Sequence, residues 1–150
     1  MTKLIKALLA VCIVISLSLT LIGCYTVGVG EITLVIADGE GTEYSVRLDK
    51  FEQKEGLISA LEYLEEKGVL EYTANSGPYG SYLTQVGALE ENGSQGRYIG
   101  IWTSVEADFD VSAYATTVEH NGIKLTSSGV GASQMTLTDG AVIYIGYLSW

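Results

Sequence analysis

The chain is short of several things at once. Its 150 residues include two cysteines, one histidine, one proline and eight basic residues against eighteen acidic ones. Each shortage closes off a class of function. A single histidine, His120, with cysteines only at 12 and 24, does not supply the usual ligand set of a zinc site or the base-activated thiol of a cysteine nucleophile. His120 stands beside Asn121-Gly122 and reads as an exposed turn residue, with no nearby partner for general-base work. Serines are plentiful, but none lies in a G-x-S-x-G elbow. No catalytic residue and no metal ligand is assigned, and no enzyme activity is expected. The formal charge of −10 repels phosphate backbones, which excludes nucleic acid as a partner. Disorder is excluded too, because apolar and aromatic residues run the length of the chain.

One long uncharged run is present, at the start. Lys3 and Lys6 precede "ALLAVCIVISLSLTLIG" and then Cys24, a positive region followed by an apolar one, as in a secretory signal. For a membrane span the run is marginal, since crossing takes about 20 apolar residues. Its end, Leu21-Ile22-Gly23-Cys24, resembles the bacterial lipobox. That resemblance implies that a diacylglycerol is attached to the Cys24 thiol and that the chain is cut before it. The alternative is a signal anchor with a chance cysteine. Residues 1–23 are thus read as a lipoprotein signal peptide, 24–30 as a lipidated tether and 31–150 as one domain. The expected location is the outer face of a bacterial plasma membrane, with the membrane as a partner through the lipid on Cys24. Stable anchoring needs at least two acyl chains. Loss of the signal would also remove Cys12, Lys3 and Lys6, leaving six basic residues against eighteen acidic ones and no disulfide.

In the remaining domain, "EITLVIADGEGTEYSVRL" predicts a hairpin with strands at 31–37 and 42–48 around a glycine-rich loop. Asp49 and Glu52 have the spacing of a capping box. Leu57, Ile58, Leu61 and Leu64 follow at helical spacing, and Gly68 stands where a helix would end. The pattern predicts one helix over 52–67. After it come a short strand in "VLEYT", a turn at Pro78, strands near 81–86 and in "RYIGIWTSV", a hairpin around Asn121-Gly122, and a last strand over 141–148. The order implies an α+β fold: a small antiparallel or mixed sheet with one main helix packed on it, in the manner of a β-grasp.

Two constellations remain. Glu106, Asp108 and Asp110 alternate in "VEADFDV"; they read as a solvated acidic loop or, alternatively, as oxygen ligands for Ca²⁺ in a Ca-dependent surface protein. The triplet Tyr-Ile-Gly occurs at 98–100 and again at 144–146. Alternation puts Tyr98, Gly100 and Trp102 on one face of a strand, and Tyr144 and Gly146 on one face of another. A glycine inside a strand marks close approach by a ligand or by another backbone. With Tyr79 and Tyr82 these residues make a candidate binding face, an aromatic floor for a flat ligand. Ordinary packing, an aromatic ring covering each glycine, is the competing reading.

From Gly56 onward the series "LISALEYL", "SGPYGSYLTQVGAL", "YIGIWTSV", "NGIKLTSSGVGAS" and "LTDGAVIYI" resembles the transcobalamin-like C-terminal domain of bacterial surface lipoproteins. The resemblance implies a small extracellular ligand-binding domain, with cobalamin as the first cofactor to consider. A surface protein in place of a small molecule is the alternative partner. The insertion "EADFDVSAYATTVEH" departs from the family pattern.

Overall fold

The computed structural model describes residues 27–39 and 41–148. The signal segment, Cys24 and Trp150 lie outside the described residues. No helix among the described residues is long and apolar enough to cross a membrane.

Strands β1 (Glu31–Ile36) and β2 (Thr42–Arg47) form the expected hairpin, with Glu31 opposite Arg47. The chain then makes a 3-10 turn at Leu48–Lys50 and passes through a bent, irregular stretch before entering helix α1, Gly56–Glu66. The helix is therefore shorter than expected, and Asp49 does not cap it. Asp49 instead takes a two-pronged bond from Arg47, at 2.9 and 2.8 Å, and Phe51 stacks beside Tyr63 of the helix at 5.7 Å. Those two contacts hold residues 49–51 alongside α1 rather than in it. The predicted stripe is buried: Leu57, Ile58, Leu61 and Leu64 all face the core. At the far end Gly68, with φ +66°, donates to the Glu65 carbonyl while Val69 donates to that of Leu64. This is the paired closure a C′ glycine allows.

Next come β3 (Tyr72–Gly77), β4 (Gly80–Val86) and the short β5 (Leu89–Glu90), which form a three-stranded antiparallel sheet of their own. Then follow β6 (Ile99–Thr103), β7 (Thr117–His120), β8 (Ile123–Ser127) and β9 (Val142–Tyr147). With the first hairpin these complete a six-stranded sheet in the order β2-β1-β9-β6-β8-β7. Strand β1 runs parallel to β9; the other pairings are antiparallel. The fold is α+β, with one helix and two sheets among the described residues.

One face of the large sheet presents Ile32, Leu34, Ile36, Ile143 and Ile145 to α1 and to Leu83, Val86 and Leu89 of the small sheet. On the other face Val35, Trp102, Leu125 and Val142 form a second, smaller core, with Val118, Tyr144 and Leu148 against it. Burial on both faces explains why "ITLVI" is apolar almost throughout. The cover on this second side is the β7–β8 hairpin, turned at Asn121 (φ 49°) and Gly122 (φ 77°). Its tip reaches the opposite edge: His120 Nε2 lies 2.8 Å from Glu43 Oε1, to which Asn121 Nδ2 also donates at 3.1 Å. The two edge strands, β2 and β7, are thereby brought together and the sheet is rolled.

Candidate functional site

The two Tyr-Ile-Gly strands are neighbours, as a shared binding face requires. Gly100 lies opposite Gly146, and Trp102 opposite Tyr144. The open floor is nevertheless corrected. Trp102 is only 4% exposed, and its indole N–H donates to Thr116 Oγ1 at 3.0 Å. It meets Tyr144 edge to face at 5.8 Å. A β-carbon added at Gly100 would lie 2.7 Å from Cη2 of Trp102 and 2.5 Å from Cδ2 of Leu148. One added at Gly146 would lie 3.0 Å from the Tyr144 ring and 3.2 Å from Ala37. Both glycines therefore make room for aromatic rings of their own strands.

Two other readings change as well. His120 has a partner, Glu43, and is not a bare turn residue. The acidic trio is dispersed in role. Asp108 is 4% exposed; its carboxylate accepts from the Thr136 N–H at 2.6 Å and the Thr136 hydroxyl at 2.9 Å. Asp110 accepts from the Ser112 N–H at 2.8 Å. Glu106 is exposed. The loop is thus not uniformly solvated, and no group of three or more His, Cys, Asp or Glu that could hold a metal occurs among the described residues.

A cavity of about 360 Å³ opens beside this region, between the two sheets. Its apolar walls are Leu83 of β4, Ile99 and Ile101 of β6, Val130 and Leu148. Tyr82 and Tyr114 stand at its rim, 51% and 89% exposed. Hydroxyls of Ser81, Thr116, Ser127 and Ser128 and the carboxylate of Asp110 also line it. Two locks shape it. On one side Gly80 and Gly131 cross so closely that a β-carbon on Gly131 would lie 2.6 Å from the Tyr79 carbonyl, which accepts from the Gly131 N–H at 2.8 Å. Ser81 N–H donates to Ser133 Oγ at 2.8 Å beside it. On the other side Thr116 N–H donates to Ser127 Oγ, and Ser127 N–H to the Thr116 carbonyl. These bonds hold the 110–116 loop, and with it Tyr114, against the mouth.

Of the seven expected residues, Tyr82 and Gly100 line this cleft. Tyr79 is exposed at the adjoining β3–β4 turn, and Tyr98 is partly exposed at the start of β6. Trp102, Tyr144 and Gly146 belong to the covered face. Asp110, which the sequence offered only as a member of the acidic trio, and Tyr114, in a loop without periodicity, complete the rim.

No family model and no curated protein matches the chain. Among solved structures, a protein of Ruminococcus gnavus described as a proposed metal-binding protein is similar over 81% of this chain and 98% of its own, at 19% identity and a TM-score of 0.49. That likeness is too distant to carry a ligand from one protein to the other.

Proposed function

We propose that the protein is a non-catalytic, lipid-tethered module on the outer face of a bacterial membrane, and that it captures its ligand in the cleft beside β6. The observation that carries the second half is the cleft itself: an apolar space open to solvent, rimmed by exposed tyrosines and lined by hydroxyls. Binding sites are commonly apolar hollows with a few placed polar groups. The first half rests on the charged start, the apolar run and Leu21-Ile22-Gly23-Cys24. The fold reading that accompanies it is β-grasp-like and transcobalamin-like, supported by a hairpin, a helix and a last strand parallel to the first. A corrin ring does not fit this proposal. At about 360 Å³ the cleft is near the lower end of ligand-site volumes, and the Trp102–Tyr144 pair lies under the hairpin. His120, the one imidazole, is held by Glu43.

Each half has its own test. Cys24→Ser should abolish labelling by a palmitate analogue and block cleavage; a labelled variant of unchanged mass would remove the anchor. For the cleft, Nile red should bind with a rise in emission that falls at least tenfold in Tyr82→Ser/Tyr114→Ser. Equal dye binding by that variant, with its fold intact, would remove the site. Cyanocobalamin serves as the comparison ligand and is expected not to compete.

A further inference from the structure

The open edge of β6 says what kind of ligand the cleft takes. Along an antiparallel strand, the N–H and C=O of alternate residues face opposite neighbours. On β6 the Tyr98 carbonyl accepts from Leu148 and the Ser104 N–H donates to the Val142 carbonyl, so the even-numbered residues bond toward β9. The odd-numbered ones face β8, and the Ile101 carbonyl accepts from Ser128 N–H at 2.8 Å. There the ladder stops. Val130, which would be next, donates its N–H to Ser128 Oγ instead. The register of β6 with β8 ends at Trp102–Ser127, and among the described residues no loop or turn backbone bonds the Ile99 N–H or C=O or the Ile101 N–H. These groups border the cleft, where β8 would have continued. An unpaired edge of this kind is a template for another strand.

Charge narrows the occupant. Among the described residues Asp110 is the one charged residue lining the cleft. None of the described basic residues lines the cleft, and five are engaged elsewhere: Arg47 and Lys50 with Asp49, Lys54 with Glu52, Lys67 over the Tyr63 ring and Arg97 over that of Tyr147. Side chains of an added strand alternate between two sides. One side would meet Leu83, Ile99 and Ile101, and the other would meet Asp110 beside Tyr114. We propose that the cleft receives an extended peptide segment of a partner protein, with alternating apolar and basic side chains, added as a strand to the free edge of β6. The inference rests on the cleft being the binding site.

The probe is an acetylated, amidated hexapeptide of alternating valine and lysine, added to the full chain in neutral detergent; the cleft of about 360 Å³ takes its middle residues, and the ends lie outside the mouth. Two controls replace lysine by glutamate, or N-methylate the backbone of the lysine peptide. At millimolar concentration the lysine peptide should slow amide exchange at Ile99 and Ile101 at least tenfold, and neither control should. Asp110→Asn, which keeps an acceptor for Ser112, should erase the preference for lysine over glutamate. Equal protection by the glutamate peptide in the unmutated chain would overturn the charge argument, and equal binding of the methylated peptide would overturn strand addition. No protection by the lysine peptide overturns the inference. If Nile red still binds in that last case, the cleft stands without it; if the dye fails too, both readings fall.

Discussion

The two faces of the large sheet are closed by different means. On the helix side, closure is apolar and extensive: Leu57, Leu61 and Leu64 sink into a core that also takes in the small sheet. On the hairpin side, Val35, Trp102 and Val142 are covered by a β7–β8 flap that contributes Leu125 and whose pairing to β6 is registered at Trp102–Ser127 and Thr103–Thr126. There the cover is held by polar fastenings, namely Trp102 on Thr116, Thr116 on Ser127, and His120 with Asn121 on Glu43. Burial of apolar area is non-directional and scales with the area removed from water. Exposed polar contacts are each worth little. The helix face should therefore set global stability, while the hairpin face should open locally at lower cost. The cleft lies at the boundary between the two, at the point where β8 parts from β6.

The largest effect should follow from the helix face. Leu61→Ala removes most of a fully buried side chain and leaves a cavity, so urea denaturation should show a loss of about 2–5 kcal/mol. A loss well below that range would mean the helix is not the principal cover. Next comes the pin between the 106–108 turn and the chain ahead of β9. In Asp108→Ala the Thr136 N–H and hydroxyl both lose their acceptor, at a cost of about 1–3 kcal/mol. Asp108→Asn keeps an acceptor and should lose less; equal losses would show that shape, not bonding, is what counts there.

The hairpin clasp should be weaker and local. Glu43 is about half exposed, and such pairs contribute about 1 kcal/mol or less. His120→Ala should speed amide exchange in β7 and expose Trp102 to an added fluorescence quencher, while leaving the exchange of α1 unchanged. If α1 responded equally, the two faces would be one cooperative unit and the contrast would disappear.

What could be read from the sequence follows the range of the interaction. The first hairpin, the leucine stripe, the Gly68 stop and the Asn121-Gly122 turn are encoded within a few residues, and alternation put Gly100 with Trp102 and Tyr144 with Gly146. Alternation does not say what lies above a face. Whether Trp102 is a platform or a core residue depends on Thr116 and on a hairpin anchored at Glu43, 77 residues from His120. The separate β3-β4-β5 sheet was hidden for a similar reason, since a strand as short as Leu89–Glu90 carries almost no period. Asp49 misled because its spacing to Glu52 suits a cap, yet Arg47 lay two residues away and claimed it. The cleft was legible only in Tyr82 and Gly100. Its other rim residues come from the 110–116 loop, and its open edge is a backbone property that residue types do not express.

That Arg47–Asp49 pair supplies the smallest effect and a control for the clasp. Both pairs involve β2, and both are accessible to solvent. One joins residues two apart and the other closes the whole sheet. Hydrogen bonding to the Arg47 guanidinium, aided by its positive charge, holds the Asp49 carboxyl below its ordinary value of 3.8. A carboxyl depressed in the folded state contributes stability that is present above the unfolded value and is lost as pH falls through the folded one. In Arg47→Met the Asp49 carboxyl resonance should titrate at a higher pH than in the parent chain, returning toward the ordinary range. Because the pair ties only neighbours along the chain, its loss should leave amide exchange in β7 and quencher access to Trp102 as they were. Faster β7 exchange in Arg47→Met, equal to that in His120→Ala, would show that any disturbance of β2 frees the hairpin. The His120–Glu43 contact would then be a bystander to the closure and not its fastening.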